Sequence, residues 1–436
     1  MAADAVTRPV SASAPRIAVV GAGWAGLAAA VQAVQQGAQV SLFEMAHQPG
    51  GRARQVQARA GLFDNGQHIL IGAYSATLAL MRSVGLDPET VLLRRPLALV
   101  TPDGHGLALA AGAPVPAFVR AVLGASGWRW SDRLALLRAA LRWRREGFAC
   151  APALTVQQLC AGLPAAVQHD LIAPLCVAAL NTPAEQASAQ VFLRVLQDAL
   201  FAGPGSADLL LPRVDLSSLL PQPAWRWLQA AGATCHSGHR VQQLLAHGSS
   251  WQVDGEAFDG VVLACSPIEA ARLVAPHQPT WAASAAALHY QPIVTAYLAD
   301  ATLRLPQPML ALRAAPDAPA QFVFDLGAIS GRPGVFAFVV SGAAAWLADG
   351  SAGCGQAVLR QARKTFSGSF AGADGQVLQH VSAERRATFA CTPALLRPAM
   401  TIAPGLAAAG DHVAGPYPAT LEGAVRSGLA AARNLA

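Results

Sequence analysis

The chain has 436 residues, enough for two or three domains around a large core. It is 53% hydrophobic with mean hydropathy +0.36 and only 13% charged, yet no uncharged apolar run reaches the roughly 18 residues of a spanning helix. The net charge of +6 is nearly all arginine, Lys364 being the one lysine, and neither a zinc finger nor an RNP-like motif accompanies it, which argues against a nucleic-acid partner.

Residues 1–15 are Ala/Ser-rich without an apolar core, which predicts a disordered leader rather than a signal peptide. Ile17–Val20 reads as a buried strand. Gly21, Gly23 and Gly26 then form GxGxxG at the start of a helix running from about Trp24 to Gln36, with Gly37 as its C-terminal stop. The first glycine makes the turn, the second admits a pyrophosphate to the backbone, and the third lets helix pack on strand. The helix N-terminus, with Trp24 and Ala25 in its first turn, offers free N–H groups to phosphate. "QVSLFE" is the next strand. It ends in Glu44, 18 residues after Gly26, placed to accept ribose hydroxyls, with Met45 beside it.

"MAHQPGGRARQ" brings a second glycine loop, Gly50-Gly51-Arg52, which resembles the GG-R motif of the flavin amine oxidase and phytoene desaturase superfamily. The resemblance implies FAD, with Gly51 and Arg52 against its diphosphate and flavin. "DNGQHILIGAY" (64–74) follows. It implies a segment beside the flavin ring, with Gly66 permitting close approach and Gln67 and His68 reaching ring or substrate. The plainer alternative is a polar turn before a helix beginning near Tyr74.

Residues 76–224 read as mostly helical. Between Ala117 and Phe148 stand seven arginines against two acids, with Trp128 and Trp130 ahead of "SDRLALLRAALRWRREG". At about 100° per residue, Leu134, Leu137 and Leu141 share a stripe of roughly 60°. This pattern suits a helix lying in a membrane interface, and equally a surface helix packed on the core. In 175–225, Asn181, Asp208, Arg213 and Asp215 sit among long apolar runs. They read either as polar contacts in a greasy cavity, or as a helix cap at Asp215 and a surface pair of Arg213 with Asp208.

Residues 238–267 resemble the superfamily's hairpin and returning strand, which implies Val241 at the adenine end. Residues 286–401 read as strand-rich, with a helix around 353–366. Residues 406–432 resemble the superfamily's closing motif. Gly410-Asp411 end a strand, the acid suiting a ribityl or phosphate-proximal hydroxyl. Thr420-Leu421 open a helix whose N-terminus faces the flavin N1–C2=O locus. The fold class is therefore α/β: a Rossmann-like FAD-binding domain of the GR2 flavoprotein type, discontinuous over 16–75, 225–285 and 402–436. Into it are inserted a mostly helical domain (76–224) and a mixed sheet–helix domain (286–401), both for substrate.

Five stretches carry a narrower resemblance: "DNGQHILIGAYSATLALMRSVG", "LCVAALNTPAEQASAQVFLRVLQDAL", "SADLLLPRVDLSSLLPQPA", "ERRATFACTP" and "PATLEGAVRSG". Together they resemble the bacterial hydroxysqualene dehydroxylases, from about residue 16 to the C-terminus. The chain departs from the family's pattern at "GDHVAGPYPAT", where His412 and Gly415-Pro416-Tyr417 replace an expected tryptophan and Thr-Gly-Leu. The resemblance implies hydride delivery from reduced FAD to an allylic carbon of hydroxysqualene, with loss of water, in squalene and hopanoid synthesis. Such chemistry needs a proton donor in a long apolar tunnel. Asp208 ranks first for that role, kept protonated by desolvation and oriented by Arg213, with His68 second. A lipid substrate favours membrane contact through 117–148 at the inner face of the cell membrane. The electron donor to FAD has no signature in the chain, and no metal is implied. Seven cysteines without a CxxC pair fit a reducing cytoplasm rather than a zinc site or disulfide framework. A carotenoid-type desaturase would share these parts and run the flavin oxidatively. A flavin amine oxidase would want a lysine at the flavin. An FAD-bound scaffold protein would keep the cofactor without turnover.

Overall fold

The computed structural model describes residues 14–248, 250–348 and 350–435; the leader expected at the N-terminus lies almost wholly outside them. Its centre is a six-stranded sheet in the order 234–237, 39–44, 16–20, 260–263, 406–408 and 401–403. The first five strands run parallel and the last antiparallel. The Arg16–Val20 strand lies between 39–44 and 260–263, so the chain leaves it in opposite directions on its two sides. In such sheets the crevice for a ligand opens past the carboxyl ends of the strands at that switch.

One face of this sheet is covered by the Trp24–Gln35 helix, the C-terminal Leu421–Leu435 helix and Pro221–Ala230. The other carries the antiparallel strands of 244–258 and the helix Pro267–Val274. Both faces being covered, the central strands are apolar almost throughout. The two long helices cross at bare backbone, since a Cβ at Gly428 would overlap the carbonyl of Ala25. Buried Glu422 starts a third helix from outside. It accepts hydrogen bonds from Ala76 N (3.0 Å), Thr77 N (2.9 Å) and Thr77 Oγ1 (2.7 Å) at the head of Ser75–Ser83.

The inserted region has two parts. A five-stranded antiparallel sheet runs 309–311, 322–325, 335–341, 290–299 and 378–389. Alternate residues Val294, Ala296 and Leu298 of its Tyr290–Ala299 strand face the Gly350–Thr365 helix. Ile293 and Tyr297 face the other way, toward a core shared with the helices Pro114–Leu123, Trp130–Arg145 and Ala189–Leu200. The 76–224 segment also contributes strands. Leu209–Pro212 pairs with both Leu70–Ile71 and Leu92–Arg95, tying the segment after GG-R to the helical part.

Asn181 joins the two parts. It ends the Ala173–Leu180 helix at φ +47°. Its Nδ2 donates to Gln291 O (3.2 Å) and Thr388 Oγ1 (2.9 Å), and its Oδ1 accepts from Gly342 N (2.7 Å). It is a fully used structural clamp rather than a polar contact in a cavity. Gly428→Ala is expected to push the two long helices apart, at a cost of about 1–3 kcal/mol by overpacking. Differential scanning fluorimetry should show a lowered Tm, while an unchanged Tm would mean that the crossing yields freely.

Candidate functional site

The site is assembled from loops at the strand ends. Gly21 (φ +104°) turns the chain, and a Cβ there would come 2.7 Å from the carbonyl oxygen of Ala264. Glu44, at the end of its strand, is 7% exposed. Its carboxylate accepts from Ala22 N (2.7 Å) and Ala46 N (2.8 Å), so it holds the glycine loop and keeps a free lone pair on each oxygen. Met45 next to it is 59% exposed. The first-turn N–H groups of Trp24, Ala25 and Gly26 point out of the helix N-terminus without intrahelical partners. The Trp24 indole is buried and donates to Ala53 O (3.4 Å).

The GG-R loop lies directly on this turn. Gly50 N donates to Ala22 O (2.9 Å), and a Cβ on Gly51 would stand 3.2 Å from Gly23 Cα. Arg52 then spans the site. It bonds Ala387 O (2.6 Å) and pairs with Asp411 Oδ1 (2.6 Å), joining the N-terminal and C-terminal motifs. Burial opposes ionisation of Asp411, but Arg52 and His412 outweigh it and hold the carboxyl well below the usual range. Gly410 N donates to Ser427 Oγ (3.1 Å), and Thr420 Oγ1 accepts from Gly423 N (3.0 Å), capping the helix that Leu421 opens. Val241 is buried with Phe43 in the cluster below the expected adenine end.

The "DNGQH" turn divides its labour. Asn65 accepts from Arg54 N (3.1 Å) and donates to Arg52 O, locking the GG-R loop. Asp64 accepts from Leu216 N (2.9 Å), and Tyr297 Oη donates to its carbonyl (2.8 Å). Burial and the neighbouring Asp215 raise the Asp64 carboxyl to about 6 against the Leu216 bond and Arg332. Gln67 and His68 make no side-chain hydrogen bond among the described residues, which leaves both for a ligand. Burial and the charge of Arg52 lower His68 to about 4, so the imidazole is neutral near pH 7.

Two expectations need correction. Arg213 does not meet Asp208: its side chain is exposed, at the opposite end of the Leu209–Pro212 strand. Asp208 pairs instead with Arg94 Nη1 at 3.2 Å, so it is a counter-ion rather than an unpaired carboxyl in an apolar wall. Asp215 caps the Leu216–Leu219 turn through Ser218 N (3.0 Å). Sequence reasoning passed over Tyr290 and Thr295 and took His412 only as a departure from the family's pattern. Tyr290 Oη, Thr295 Oγ1 and His412 Nε2 are buried without a hydrogen-bond partner. Burial, with Asp411 adding to it against Arg52, pushes the Tyr290 phenol up to about 12. His412 packs its ring against Gly410, while Arg397 holds the loop beyond by the carbonyls of Asp411 (3.3 Å), Tyr417 (2.9 Å) and Gly415.

The Trp130–Arg145 helix has two apolar faces. Leu136, Ala140 and Trp143 look inward on a cavity lined entirely by apolar residues, Phe118, Leu196 and Phe201 among them. Its free volume is about 20 Å³. The predicted stripe is split: Leu134 is 45% and Leu141 47% exposed, while Leu137 is half-buried against the core. Trp130 is exposed beside them, with Arg133 4.8 Å above its ring. No helix of the described residues is long and apolar enough to cross a membrane.

A glycine turn at a helix N-terminus, an acid at the end of the second strand and a closing helix at the far loop are the parts of a flavin-dependent oxidoreductase. The chain belongs to the flavin containing amine oxidoreductase family, whose sequence signature matches residues 24–436. It is 29% identical over 440 residues to a hydroxysqualene dehydroxylase of Rhodopseudomonas palustris, covering 95% of this chain and 96% of the relative. A zeta-carotene desaturase of Zea mays is 32% identical over 90 residues, 20% of this chain and 16% of the relative. Among solved structures, an oxidoreductase of Methanosarcina mazei superposes with a TM-score of 0.72 at 15% identity, covering 95% of this chain and 99% of its own.

Because Asp64 has a raised pKa in the fold, its charge destabilises the native state. That cost is absent below the ordinary carboxylate value near 4 and grows as pH rises through 6. Asp64→Asn keeps the Leu216 bond and is expected to raise Tm at pH 7–8 but not at pH 4. A Tm gain independent of pH would mean that the raised value is not the cause.

Proposed function

We propose that the protein binds FAD and removes the hydroxyl of hydroxysqualene reductively, releasing squalene and water. The observation that carries this reading is similarity to hydroxysqualene dehydroxylases along 95% of the chain, while the carotene desaturase match stops at 20%. An amine oxidase reading finds no lysine for it. Lys364 is 77% exposed, 3.7 Å from Asp317, on the helix that covers the far face of the five-stranded sheet.

In this reading Glu44 takes the adenosine ribose hydroxyls, the 24–26 N–H groups and Arg52 take the diphosphate, and Asp411 takes the ribityl chain. Bound and reduced, FAD supplies the hydride. The chain must supply a proton to the departing oxygen. Asp208, tied to Arg94, is poorly arranged for this, and His68 takes precedence. A neutral imidazole serves as a relay, donating from one ring nitrogen while the other takes a proton from solvent. The hydroxyl oxygen leaves as water, and His68, having given one proton and taken another, ends neutral. Anaerobic mixing of photoreduced protein with hydroxysqualene should reoxidise the flavin and yield squalene. Conjugated polyenes made from squalene by the oxidised protein would establish the desaturase instead.

The membrane-facing assignment for 117–148 rests on the outward leucines and arginines. A lipid reaching the inward face of the same helix must part its walls, which membrane contact would favour. Each interfacial arginine contributes on the order of 1 kcal/mol on anionic bilayers, falling with salt. Arg138→Glu, Arg142→Glu and Arg145→Glu together are expected to release the protein from anionic vesicles in a flotation assay. Equal, salt-insensitive flotation of both proteins would refute the assignment.

A further inference from the structure

We infer that Thr295 and His68 form a two-point station for the single hydroxyl of the lipid substrate, and so make the site selective for the alcohol over the hydrocarbon. The inference rests on the substrate reading above. Thr295 lies on the Tyr290–Ala299 strand between Ile293 and Tyr297, on the sheet face turned toward the helical region. It is 1% exposed, and its Oγ1 has no partner among the described residues. A buried hydroxyl left so costs about 1–3 kcal/mol, a cost that a ligand can relieve.

The residue it faces is Gly66. A Cβ built there would come 3.9 Å from Thr295 Oγ1 and 3.6 Å from His68 Nε2. Two polar atoms without protein partners therefore converge on the one residue of the turn that carries no side chain. An alcohol has one donor and two acceptor positions. The neutral His68 donates to its oxygen and Thr295 Oγ1 accepts its proton, or the roles exchange with the imidazole tautomer. Ile293, Tyr297 and Phe389 around the strand are buried or half-buried and present mostly apolar surface to the lipid chain. Squalene fills the same chain path and leaves both atoms unpaired, which favours its release.

The test is an equilibrium titration of FAD-loaded, detergent-solubilised protein with hydroxysqualene and with squalene, read by perturbation of the oxidised flavin spectrum. The unmodified protein should bind the alcohol about tenfold or more tighter than the hydrocarbon. Thr295→Val should bring the two within about threefold, leaving squalene affinity and flavin content unchanged, and Thr295→Ser should restore the preference. His68→Phe should lose the preference as well. Retention of the full preference by Thr295→Val or by His68→Phe overturns the inference alone. An unmodified protein that binds neither lipid overturns both it and the substrate reading.

Discussion

Two loops 28 residues apart meet backbone to backbone, and the site hangs on that contact. Gly50 and Gly51 rest on Ala22 and Gly23 with no side chain between them. Glu44 fixes the lower loop by its N–H, and Asn65 fixes the upper one by the main chain of Arg52 and Arg54. Only then is Arg52 aimed across to Asp411, 359 residues further on. Asp411 in this pair is buried while Arg52 is 40% exposed; such a pair contributes little net stability by itself, but removing Arg52 leaves a buried charge uncompensated. Its role here is therefore positional: it sets the C-terminal loop against the N-terminal one.

The inserted region obeys a different economy. Its helix Trp130–Arg145 is apolar on two sides, and the outward leucines forgo burial that would be worth roughly 25 cal/mol per Å². Arginines on the same outward side are compatible with water and with anionic head groups alike, since their stems can lie along apolar surface. The inward face closes the apolar cavity almost completely.

Local chemistry was legible from residues in order. The helix read as Trp24 to Gln36 is Trp24–Gln35, and "QVSLFE" is the Gln39–Glu44 strand. Periodicity also picked out the leucine stripe, though not which way it faced, because both faces of that helix are apolar. The misreadings are contacts between distant segments. Asp208 finds Arg94, 114 residues away, rather than nearby Arg213, because the Leu209–Pro212 strand pairs with Leu92–Arg95. Asn181 is spent on three bonds to the sheet. Thr295 had one sign, a hydroxyl inside the apolar run "PIVTAYL", which alternation alone reads as core.

On the proposed function, the glycine loops and Glu44 form one dinucleotide seat. Its most direct test is the cofactor content of Glu44→Ala, measured by flavin absorbance and by chromatographic identification of the released flavin. The unmodified protein is expected to carry FAD, and the variant to purify with much less of it. Full FAD occupancy in Glu44→Ala would contradict it.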